Sequence, residues 1–89
     1  MEIEEELIFV LASRKRIRVV CFLYDVEKAR GYEIADMLLM PRSSVSLTTK
    51  QLRYHKLVDF VQHAQARLFF LTDDGKKVVE KIRDYYGPI

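Results

Sequence analysis

Asparagine and tryptophan are absent from this 89-residue chain, which has one cysteine, two prolines and three glycines. A single cysteine cannot close an internal disulfide, which fits a reducing, cytoplasmic setting. Without asparagine, a thermolabile residue, the composition has a trait of heat-adapted proteins. No linker, repeat or low-complexity stretch divides the chain, so residues 1–89 read as one domain. No apolar run approaches the ~20 residues of a membrane span; the longest, LIFVLA (Leu7–Ala12), has the length of a buried helix segment. The acidic start MEIEEE is unlike a signal or transit peptide. There is no glycine-rich phosphate loop and no nucleophile–base–orienter set, so no enzyme is expected. His55, Asp59 and His63 fall on different elements and lack a fourth ligand, so neither a metal nor another cofactor is expected. Cys21 sits in an apolar run and reads as a core thiol.

What is present is segregated charge on a helical chain. Formal net charge is only +2. Residues 1–13 carry Glu2, Glu4, Glu5 and Glu6 and no base, whereas residues 14–18 carry Arg14, Lys15, Arg16 and Arg18. Residues 42–67 carry Arg42, Lys50, Arg53, Lys56 and Arg67 against Asp59 alone. Such basic surface attracts polyanions.

Apolar spacing predicts a helix over residues 3–12 and a second over 14–27, capped by Ser13 and apolar most of the way round, hence central. KARGY breaks it, with Gly31 free to take positive φ. Ile34, Ala35, Leu38 and Leu39 predict a third helix that Pro41 ends. A fourth opens at Arg42 or Ser43 and runs to about Lys56. The period then changes: VDFVQ and RLFFLT read as strands around a HAQA turn. Thr72 caps a last helix over 73–86, with Asp73 and Asp74 in its first turn, an apolar stripe of Val78, Val79, Ile82 and Tyr85, and GPI as its end. Four helices, a hairpin and a helix make an α+β, mainly α chain with the layout of a winged helix-turn-helix.

The fourth helix poses a question. Its RSSVSLTT segment is crowded with hydroxyl residues that are poor helix formers. On a wheel of about 100° per residue, Val45, Thr49, Leu52 and Lys56 form the inward stripe. Ser43, Ser46, Leu47, Lys50 and Tyr54 face outward, and no acid joins them. Small hydroxyls permit close approach and bond to phosphates or base edges, Lys50 can reach a guanine edge or a phosphate, and Leu47 a thymine methyl. Arg42 and Ser43 lie at the helix N-terminus, where anions are favoured. The outward face therefore points to double-stranded DNA. The plainer alternative takes Ser43 and Ser44 as capping residues, with Ser46 and Thr48 as neutral filler.

LASRKRIRVVCFL, EIADML followed by SSVSLTTKQLRYHKLV, and RLFFLTDDGKKVVEKI together resemble the helix-turn-helix, wing and following helix of ArsR/MarR-like winged-helix regulators, including archaeal and archaeal-virus proteins of this size. The likeness covers about residues 10–84. It implies a homodimer on an inverted-repeat operator, acting as a repressor. Residues 43–56 would enter the major groove, with Arg53 and Tyr54 on the backbone and Gln65 and Arg67 reaching an adjacent phosphate or minor groove. The chain departs from the pattern in places. Thr49 stands where a core leucine is usual, Lys56 where a glycine usually ends the recognition helix, and the wing turn is short. The paired cysteines of metal-sensing relatives are absent, which argues against metal sensing.

Leu7, Ile8, Leu11, Ile82, Tyr85 and Tyr86 on the terminal helices offer an apolar seam for self-pairing, and a chain this small gains stability from it. Two other functions fit a winged helix: a protein-docking module, which the outward Leu47 favours, and a sequence-tolerant architectural DNA binder. No effector can be read from the sequence.

Overall fold

A computed structural model describes residues 3–87. Met1, Glu2, Pro88 and Ile89 lie outside the described residues, and with them two residues of the GPI terminator and one of the N-terminal acids. The elements run α1 (Glu4–Leu11), α2 (Arg14–Val26), β1 (Lys28–Arg30), α3 (Gly31–Leu38), α4 (Arg42–Tyr54), β2 (Val58–His63), β3 (Ala66–Leu71) and α5 (Asp73–Tyr86). No helix among the described residues is long and apolar enough to cross a membrane.

The helix starts follow side-chain chemistry. Ser13 accepts from the Arg16 N–H at 3.4 Å and caps α2. Thr72 accepts from the Gly75 N–H at 3.1 Å and donates to the Lys56 carbonyl at 2.7 Å, so one hydroxyl starts α5 and holds the entry to the wing. Glu4, Glu5 and Glu6 occupy the first turn of α1, where negative charge meets the positive end of the helix dipole. At the core's centre lie Val19, Val20, Cys21 and Leu23 of α2, enclosed by Ile34, Leu52, Leu57, Val78, Val79 and Ile82. Burial pushes the Cys21 thiol above its ordinary pKa, as an inert core thiol requires. Arg83 of α5 clasps Asp25 of α2 through two bonds of 2.9 Å and holds the Asp25 carboxyl below its usual range.

Several details differ from the expectations above. KAR is not a plain break but a third strand: the sheet order is β1-β3-β2, all antiparallel, with Ala29 opposite Phe69. Gly31 opens α3 instead of reversing the chain; the positive φ falls on Glu27, at 72°. The wing turn is Ala64–Gln65 alone, because His63 and Ala66 already pair, and Ala64 takes φ 57°. Lys56 is not on the inward stripe. Helix α4 stops at Tyr54, and Lys56 turns outward at φ 60°, so it does occupy the left-handed position for which glycine is the usual choice. Tyr85 is exposed, not packed in the α5 stripe.

Candidate nucleic-acid interface

Helix α4 is positioned from three sides. Val45, Thr48, Thr49 and Leu52 are buried beneath it. Thr49 can stand in a leucine-like position because its hydroxyl donates to the Val45 carbonyl at 2.8 Å, satisfying the polar group inside the helix's own turn. Thr48 is core, not filler. At the far end, the Phe9 ring of α1 stacks on His55 with centroids 3.7 Å apart, and the Arg16 guanidinium lies 3.8 Å above Phe9. Arg16 also donates to the Phe9 carbonyl at 2.8 Å and to Gln51 at 3.3 Å. Arg18 donates to the Leu38 carbonyl. Two of the four bases in residues 14–18 thus bind helices together instead of facing a polyanion.

The hydroxyl question now has a divided answer. Ser43 and Ser46 point to solvent, Thr48 and Thr49 to the core, and Ser44 lies between, 3.4 Å from the Lys15 ammonium. Every residue expected on the outward face is exposed: Ser43, Ser46, Leu47, Lys50 and, at 83%, Tyr54. Arg42, Arg53, Gln65 and Arg67 are exposed as well.

Five of these nine candidates, Arg42, Ser46, Lys50, Arg53 and Arg67, surround one open groove of about 660 Å³ between α4 and the wing. Leu47 and Tyr54 line a neighbouring hollow of about 540 Å³ that shares Lys50 and Arg53 with it. Ser43 and Gln65 line neither. No carboxylate among the described residues lines either depression. Arg53 does meet Asp59, at 3.7 Å, but the pair is exposed and therefore weak. Two guanidinia lie against the Phe60 ring, Arg53 of α4 4.4 Å and Arg67 of the wing 4.5 Å from its centre. Phe60 escaped the sequence reading, since nothing in VDFVQ marks it as a platform. Tyr32, which also lines the groove, escaped it too.

The three side chains considered for metal are engaged separately: His55 on Phe9, Asp59 with Arg53, and His63 Nδ1 against the Arg30 guanidinium at 3.2 Å. Among the described residues no group of three or more His, Cys, Asp or Glu is placed to hold a metal.

On the terminal helices, Leu7, Ile8, Leu11, Ile82, Tyr85 and Tyr86 surround a hollow of about 270 Å³ flanked by Glu4 and Lys81. Ile8, Tyr85 and Tyr86 are 68%, 77% and 65% exposed, whereas Ile82 is fully buried and belongs to the protomer's own core.

This arrangement of a buried-backed helix, a preceding short helix and a two-stranded wing is a winged helix-turn-helix. No family model and no curated protein sequence matches the chain. Solved structures do. HlyU from Vibrio cholerae N16961 is 25% identical with a TM-score of 0.78, over 99% of this chain and 100% of that one. The transcriptional regulator HlyU from Vibrio vulnificus CMCP6 is 22% identical with a TM-score of 0.77, over 90% of this chain and 83% of that one. NMB1585, a MarR family regulator from Neisseria meningitidis, is 21% identical with a TM-score of 0.75; 82% of this chain matches 54% of that one. The chain has the winged helix-turn-helix fold of the HlyU and MarR-type regulators, spanning all of the first and about half of the last.

Proposed function

We propose that the protein is a transcriptional regulator that binds double-stranded DNA sequence-specifically as a homodimer. The observation that carries this reading is the groove between α4 and the wing, where Arg42, Lys50, Arg53 and Arg67 converge without a lining carboxylate. A solvated face with no binding role would mix acids among its bases. In this reading α4 enters the major groove, with Ser43, Ser46, Leu47 and Lys50 toward base edges, and Arg42, Arg53, Tyr54, Gln65 and Arg67 toward the backbone or the flanking minor groove. Likeness in fold to known regulators supports a role in transcription, and repression by promoter occlusion is the mode we assign.

Arg67→Ala tests the wing. It is expected to weaken binding about equally on all duplexes and to lower the salt slope by ~1, because one phosphate contact is lost. An unaltered slope, measured by fluorescence anisotropy across salt concentrations, would take the wing off the phosphates.

A two-fold dimer through the terminal helices would call for an inverted-repeat operator, with half-sites about one turn of the duplex, roughly 34 Å, apart. Ile8 is exposed in the protomer, so Ile8→Lys leaves the core intact while forcing a hydrated charge into the apolar seam. Sedimentation should show wild-type dimer and monomeric Ile8→Lys. A variant with the wild-type mass would move the interface elsewhere.

A further inference from the structure

Resting on the DNA reading above, the geometry points to the groove between α4, the wing and the first turn of α3 as the channel for one sugar–phosphate strand, and to Tyr32 as a phosphate contact within it. A helix in the major groove and a wing in the adjacent minor groove are separated by one backbone strand, so a depression between the two elements must straddle that strand. The depression has the chemistry for it. Arg42, Lys50, Arg53 and Arg67 line it, Arg53 and Arg67 each lie against the Phe60 ring, and no carboxylate among the described residues lines it, Asp59 meeting Arg53 from outside the lining. Tyr32, the second residue of α3, lines the same groove and is 46% exposed. Of the tyrosine hydroxyls among the described residues, only that of Tyr24 is hydrogen-bonded within the protomer, to Glu80. The Tyr32 hydroxyl therefore remains available to donate to a phosphate oxygen, while its ring packs along the wall. Such a contact fixes register on the duplex and carries no base preference.

Because the phenol is neutral, its loss has a signature that no cation shares. Tyr32→Phe removes one oxygen and leaves the ring. On three unrelated mixed-sequence duplexes it is expected to weaken binding by about tenfold, the lower end of the range for a hydrogen bond to a charged group. The salt slope is expected to stay unchanged, since no counterion-releasing charge is lost. Thermal stability should match wild type. Tyr32→Phe that binds like wild type overturns the assignment. So does a loss confined to one duplex, which would make Tyr32 a base reader, or a reduced salt slope, which would mean that the cations had been displaced. A wild-type protein that binds none of the duplexes sinks the DNA reading and this contact with it. A wild-type protein that binds, beside an equally tight Tyr32→Phe, sinks the contact alone.

Discussion

Gly75→Ala is expected to destabilise the fold by about 3 kcal/mol, the top of the usual range for overpacking. Helix propensity alone predicts the opposite sign, since alanine is favoured over glycine inside a helix by roughly 1 kcal/mol. The structure decides against propensity. Gly75 sits in the first turn of α5, buried against the end of the α4–β2 connection, and a Cβ there would lie 2.1 Å from the Leu57 carbonyl oxygen. That oxygen cannot swing aside like a side-chain tip, because it also accepts the Thr72 N–H at 3.1 Å. Relief requires moving α5 away from the wing, which breaks the Thr72 hydroxyl's bond to the Lys56 carbonyl and the Thr72 N–H bond to Leu57. For a domain of this size the loss corresponds to a fall in Tm of about 12–24 °C. A variant that melts within a few degrees of wild type would show that α5 does not rest on Leu57 as described.

Lys50→Ala is expected to carry the largest single loss on the DNA face. Lys50 lines both depressions beside α4 and makes no ion pair among the described residues, so its charge is not spent inside the protomer. A specific base contact from such a side chain contributes about 1–3 kcal/mol, so affinity for the preferred site should fall roughly tenfold or more. Sequence preference should relax as well, which separates Lys50 from Arg67. Binding assays on a panel of duplexes check both features. Unchanged affinity on every duplex would remove Lys50 from the contact set.

Much of the architecture was legible because strong local signals carried it. Ser13 and Thr72 are hydroxyl caps where the sequence placed them, and the change from helical to alternating spacing after Lys56 marked the hairpin. The outward face of α4 followed from the wheel, since Val45 and Leu52 fix which side is core. What escaped depends on partners distant in sequence. Strand β1 is three residues long and exists because β3 offers its second edge to Lys28–Arg30. The positive-φ positions at Glu27, Leu39 and Ala64 escaped because those residues carry no glycine flag, whereas Lys56 was marked by the glycine usual at its place in the resemblance. Lys56 could be put on the α4 stripe only by assuming that the helix continued; the pull of β2 pairing ends it at Tyr54. Phe60 and Tyr32 acquire meaning only when the wing and α3 come together beside α4. Ile82, offered from its sequence spacing as a seam residue, is already enclosed by its own protomer.

The central claim is that the acid-free groove beside α4 meets a DNA backbone. Fluorescence anisotropy of the wild-type protein with a mixed-sequence duplex, taken at low and at moderate salt, tests it most directly. The account predicts binding that falls steeply with salt, with a log–log slope near −0.9 for each phosphate neutralised and several phosphates counted. No binding at low salt would contradict it, and would leave the exposed Leu47 and Tyr54 as parts of a protein-docking face.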